Sequence, residues 1–199
     1  MRRMVTVKLK TPISEEEIRK IKVEDILYLS GIAITARDEA HMRALEFHEE
    51  GKQVPVSFKD IALYHCGPLV RKKNDKWEVV VAGPTTSIRM ETLEYDFIEK
   101  FGPRVIIGKG GMGDKTAKAA KEFGAVYCDY TGGAAVLAAN AMEEVEKVEW
   151  LDLGMPEALW VLRINEFGPL VVTIDSTGKN LHEDLNKEVE ARKAQILSD

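Results

Sequence analysis

Short apolar runs that stop at glycine, proline or a charged junction, each with a helix-forming stretch close behind, restrict this chain to an alternating α/β fold. Val105-Ile106-Ile107 reads as a buried strand that enters Gly108-Lys109-Gly110-Gly111-Met112-Gly113. A helix is expected next, with Asp114 as N-cap, Ala117, Ala119 and Ala120 as strong formers, and Gly124 at the C-terminal cap. Trp77-Glu78-Val79-Val80-Val81 reads as another buried strand, ended by Gly83 and Pro84, because glycine opens unusual backbone angles and proline removes a ladder donor. Ile26 to Thr35 gives a third strand, followed by a helix carrying Ala40, Leu45 and Phe47 that ends before Gly51. Ser14-Glu15-Glu16-Glu17 forms a capping box ahead of Ile18 and Ile21. Further strands are expected at Ile61–Cys66 and Ala125–Cys128, and a late pair at 160–164 and 169–174 turns at Phe167-Gly168. An alanine-rich helix follows Gly133, and a charged helix with Leu185, Val189 and Ile196 spans about 181–197. The pattern predicts a layered α/β domain with a mixed, partly parallel sheet.

In such sheets ligands sit beyond the carboxyl ends of the strands, so the residues there are the candidates for a site. Thr85, Thr86 and Arg89 follow Gly83-Pro84, and the arginine offers a planar fork of donors that matches a carboxylate or phosphate. Lys109 stands among glycines whose N–H groups can approach an anion. Arg37 lies at a third junction, with Asp38 and His41 close behind. Each has a plainer reading. Thr85 or Thr86 could cap a helix, Lys109 could be solvated in a flexible turn, and Arg37 could belong to a structural ion pair. The 108–116 loop also approaches the phosphate-loop pattern, which keeps open a small-phosphate or nucleotide-binding module. Asp114, between Gly113 and Lys115, breaks that register and would repel a phosphate.

The 199 residues, 45% of them hydrophobic, are enough for one domain with a substantial core. A net charge of -5 without a basic stripe argues against nucleic acid as a partner. Met1-Arg2-Arg3-Met4 is basic, but polar residues interrupt any apolar run after it, so no signal or membrane span is expected and the location is cytoplasmic. Cys66 and Cys128 have no close-spaced partner and read as buried thiols, so no metal ligand set is expected in this chain. His41 reads as a partner of Asp38 or of a backbone carbonyl, and His65 as a core or edge histidine. Gly132-Gly133 could bring a helix start near an anion or only permit tight packing.

Taken together, Thr35-Ala36-Arg37-Asp38-Glu39-Ala40-His41, Gly83-Pro84-Thr85-Thr86-Ser87-Ile88-Arg89-Met90, Gly108-Lys109-Gly110-Gly111-Met112 and Gly132-Gly133-Ala134-Ala135 resemble the motifs of class I fumarases and L-tartrate dehydratases, in the family's order. Leu153-Gly154-Met155-Pro156-Glu157-Ala158 and Val171-Val172-Thr173-Ile174-Asp175-Ser176 resemble its later segments. The likeness runs from about Thr11 to Ser176 and is to the β subunit of two-chain forms or the C-terminal domain of single-chain ones. It implies a swivelling β/β/α domain and a hydro-lyase acting on a small hydroxy-dicarboxylate, fumarate and malate first and tartrate next. It implies substrate-binding roles for Arg37, Arg89, Lys109, Thr86 and Gly83, and proton transfer by Thr85. It also implies a four-iron four-sulphur cluster, whose iron would polarise the substrate hydroxyl. Two cysteines cannot supply that cluster's three thiolates, so the resemblance assigns it to a partner α subunit, in a hetero-oligomer of which a dimer of heterodimers is one form.

Overall fold

Five strands lie side by side and parallel in the computed structural model, which describes residues 3–198 and leaves Met1 and Arg2 of the basic start, and Asp199, outside the described residues. The chain begins with β1 (Thr6–Lys10), α1 (Glu15–Ile18), β2 (Ile26–Thr35) and α2 (Asp38–Glu49). It continues through β3 (Ala62–Tyr64), β4 (Leu69–Lys73), β5 (Lys76–Val81), α3 (Glu91–Phe101) and β6 (Val105–Gly108). It ends with α4 (Asp114–Phe123), β7 (Val126–Asp129), α5 (Ala135–Asn140), β8 (Met142–Glu149), β9 (Leu159–Ile174) and α6 (Leu181–Ser198). The main sheet runs β1-β2-β3-β6-β7-β9-β8, with β8 and β9 antiparallel, so the sheet is mixed and partly parallel as expected. β9 also pairs with β2, which closes β2, β3, β6, β7 and β9 into a circuit.

Every residue of β6 is buried, as befits a parallel strand covered on both faces. Its alternation divides two cores. Val105 and Ile107 join Leu27, Tyr64 and Phe167, while Ile106 faces Leu63, Phe97 and Ala120 on the side of α2, α3 and α4. The capping box at α1 is formed, with Glu17 N–H donating to Ser14 Oγ at 3.2 Å. Gly124 closes α4 in the left-handed conformation.

The structure corrects three local expectations and adds one strand. Trp77–Val81 is not a buried strand of the main sheet: among the described residues β5 pairs only with β4, in a hairpin that is half exposed. The late strand pair is one strand, β9, because both halves pair along β2 instead of folding back on each other. β8 was not anticipated. The N-cap of α4 is Gly113, and Asp114 is the first helical residue. Among the described residues no helix is long and apolar enough to cross a membrane.

Candidate functional site

The parallel register aligns the ends of the strands. Thr35 stands opposite Tyr64, Tyr64 opposite Ile107, and Ile107 opposite Cys128. Arg37, His65 and Lys109 therefore follow at one edge. β5 is outside this sheet, yet the segment after it is drawn across the same edge. Pro84 bridges to Cys66, Thr85 N–H donates to the His65 carbonyl at 2.7 Å, and Thr86 bridges to Lys109. Gly83 runs against α5, where a Cβ would lie 3.0 Å from that of Ala135, a tight approach that glycine avoids. The structure thus gathers Arg37, Gly83, Thr85, Thr86, Arg89 and Lys109 on one face.

Their charges are committed differently. Arg89, half exposed, grips Asp38 with Nε at 3.1 Å and Nη2 at 2.7 Å. Arg37 Nε lies 3.2 Å from Glu157. Lys109 is half-buried beside Gly132, where a Cβ would stand 3.5 Å from Nζ, and it has no ion-pair partner among the described residues. The Thr85 and Thr86 hydroxyls likewise have no hydrogen-bond partner among the described residues. Thr86 is the N-cap of the 3₁₀ turn Ser87–Met90 without a side-chain capping bond, so the capping role weighed for these threonines is not realised. An ammonium and two hydroxyls without partners among the described residues, on adjoining segments and with arginines held in place by acids, are chemistry for an anion carrying hydroxyl or carboxylate oxygens.

The phosphate-module reading fares worse. Glu91 occupies the start of α4, accepting from Gly113 N at 2.8 Å, Lys115 N at 2.9 Å and the Thr116 hydroxyl at 2.6 Å. Asp129 takes the Gly111 N–H at 3.2 Å. Carboxylates already fill the positions a phosphate would need.

Beneath the site lies a group the sequence reading did not assemble. His41 Nδ1 donates to the Arg37 carbonyl at 2.8 Å, one of the two partners expected for it, and His65 is fully buried. The Nε2 atoms of His41 and His65 face Glu94 Oε2 at 3.4 and 3.1 Å. Burial would raise the Glu94 carboxyl, but the two imidazoles outweigh it and hold it at about 2, while burial pushes His65 below its ordinary value. Glu94 was detectable. It falls on the apolar stripe of α3 with Met90, Phe97 and Ile98, where a carboxylate is out of place.

The cysteines do not suit a cluster. Cys66 and Cys128 are buried, with β6 between the strands that carry or lead to them, and burial pushes the Cys66 thiol up to about 12 and Cys128 well above its usual range. Iron–sulphur clusters bind thiolates, which these sites disfavour.

Residues 1–185 match the family model described as the fumarase C-terminus. The chain is 45% identical over 191 residues to the L(+)-tartrate dehydratase subunit beta of Escherichia coli K12, covering 96% of this chain and 94% of that protein. It is 41% identical to a putative L(+)-tartrate dehydratase subunit beta of Methanocaldococcus jannaschii, over 93% of this chain and 95% of that one. A putative class I fumarate hydratase of Geobacillus stearothermophilus is 48% identical over 94% of this chain, which spans 35% of that protein.

Proposed function

We propose, because this chain belongs to the fumarase C-terminus family, that it is the β subunit of a hydro-lyase acting on a four-carbon hydroxy-dicarboxylate. The observation that carries this reading is that the Lys109 ammonium and the Thr85 and Thr86 hydroxyls, on segments joined by the Thr86–Lys109 bridge at the aligned strand ends, have no side-chain partner among the described residues. Malate with fumarate, and tartrate, are the two substrate candidates. Lys109 anchors one substrate carboxylate by charge. Arg89 and Arg37, oriented by Asp38 and Glu157, supply further N–H donors along it, and Thr86 adds a hydroxyl contact. Thr85 moves the proton at the carbon next to the carboxylate, its hydroxyl polarised by the neighbouring cations. Residues 1–199 act as one cytoplasmic domain.

Class I fumarases use an iron–sulphur cluster, and the thiols of this chain do not fit one. The four-iron four-sulphur cluster therefore belongs to an α subunit, with which this chain forms a hetero-oligomer. That cluster supplies Lewis acidity toward the substrate hydroxyl. The test is anaerobic reconstitution. The isolated chain should be colourless and inactive, and mixing with a cluster-bearing α subunit should produce turnover of malate or of tartrate, the faster one naming the substrate. Stoichiometric iron on this chain alone, with activity, would overturn the assignment.

A further inference from the structure

Four polar side chains lie under the site with no solvent exposure: Glu94 on α3, His41 on α2, His65 just after β3, and Ser87 at the start of the 3₁₀ turn. Each histidine or serine is tied to a different strip of the site. The carbonyl of His65 holds the Thr85 N–H at 2.7 Å, and its own N–H donates to Ile107 at 2.8 Å. His65 Nδ1 lies 2.9 Å from Ser87 Oγ, which also accepts the Lys109 N–H at 3.3 Å, while Ser87 N–H returns to the Lys109 carbonyl at 3.1 Å. Gly108 lets Ser87 this close, since a Cβ there would fall 1.7 Å from Ser87 Oγ. His41 bonds the Arg37 carbonyl twice, through its N–H at 2.9 Å and Nδ1 at 2.8 Å, in the helix turn whose Asp38 carries Arg89. Glu94 is the common point, facing both imidazoles.

Such an arrangement is a poor choice for stability alone. A carboxylate removed from water is costly even when paired, and here both Glu94 oxygens and both Nε2 atoms lack an aligned hydrogen bond. The same surface of α3 could have carried leucine. What the acid provides is a fixed point from which three separate segments are held at one spacing. Precise placement of groups around a substrate depends on support of this kind from behind.

We propose that Glu94, through His65 and His41, is the positioning residue that sets the spacing of Thr85, Lys109 and the Arg37–Asp38–Arg89 corner. The inference rests on the functional reading above only for what the site does, and it is tested by a measurement that does not need that reading. Glu94→Gln removes the charge at constant shape. Ser87→Ala cuts the link from His65 to Lys109 without exposing a buried charge, and so stays informative if the first variant fails to fold. Hydrogen exchange followed on the full chain should show the Thr85 and Lys109 amides exchanging about ten-fold faster or more in either variant. The amides of β1 and of the Ile26–Ser30 stretch of β2 that pairs with it, at the other end of β2 from His65 and Arg37, should be unchanged. In the reconstituted holoenzyme both variants should lose kcat by ten-fold or more with a smaller change in KM. Glu91→Ala, which weakens the start of α4 by a route outside this group, should leave KM and kcat close to wild type. Unchanged exchange at Thr85 and Lys109 would overturn the proposal, as would faster exchange with full kcat in an active holoenzyme. One equivalent of a divalent metal on the purified chain, lost in Glu94→Gln, would overturn it too, because two imidazoles and a carboxylate within 4.8 Å of one another would then be a metal site. If no hydro-lyase activity is found at all, the exchange result still decides.

Discussion

Thr85 is held by its backbone and left free at its side chain, which is the reverse of what a capping threonine does. Its N–H is bound to His65, while the turn behind it starts at Thr86 and uses no side-chain cap. Removing the hydroxyl should therefore cost little stability, whereas a true N-cap would lose roughly 0.5–2 kcal/mol. Thr85→Val keeps the shape and deletes the hydroxyl. If Thr85 transfers the proton, the variant should fold, pair with its α subunit and bind substrate, yet lose kcat by about 100-fold or more. Thr85→Ser should keep part of the rate. A valine variant with normal kcat would remove Thr85 from the chemistry and leave Lys109 and the arginines as this chain's contribution.

Glu91 does for α4 what a neighbouring cap normally does, from a different helix. Its carboxylate satisfies N–H groups of the first turn and the buried Thr116 hydroxyl, at the positive end of the helix dipole. Glu91→Ala should cost about 1–3 kcal/mol, the price of leaving buried donors unmade. For a chain of this size each kcal/mol lowers Tm by roughly 2–4 °C. Glu91→Gln, which keeps the acceptor oxygen, should lose less, and an alanine variant melting with wild type would deny Glu91 the role. The sequence carried no hint of this cap, because it is a contact across 22 residues or more between chain segments. The same limit explains the strands misread. Met142–Glu149 carries four glutamates and one lysine around single valines, and such an edge strand has the composition of a solvated helix. β9 reads as two strands since Gly168-Pro169 punctuates it, and only its pairing with β2 shows that it continues. By contrast β2, β6, α4 and the C-cap at Gly124 were legible, being fixed by local residues. The site residues were legible as separate strand ends and their gathering was not, because the hairpin that brings Thr85 to His65 is specified by tertiary contacts.

At the scale of the whole molecule, the buried Glu94–His65 pair gives folding a defined dependence on pH. Glu94 sits at about 2 in the folded chain, below its unfolded value near 4.5, so its contribution is present above 4.5 and is lost as pH falls toward 2. His65 is also depressed, from 6.5, because burial disfavours its charged form. Between its folded value and 6.5 the unfolded chain binds more protons than the folded one, so stability rises with pH there and falls on acidification. Both groups weaken the fold in acid, but exposed carboxylates such as Glu15, Glu16 and Glu78, held low by ion pairs, add to the loss only below about 4.5. The interval from pH 6.5 to 5 therefore isolates histidine. Urea midpoints measured from pH 7.5 to 5 should decline below 6.5 in the wild type. In His65→Gln the midpoint should start lower, since a buried partner of Glu94 has been lost, and vary less across the same interval. An identical slope in the two proteins would show that His65 takes up its proton without cost, and hence that the pocket around Glu94 opens to water before the fold gives way.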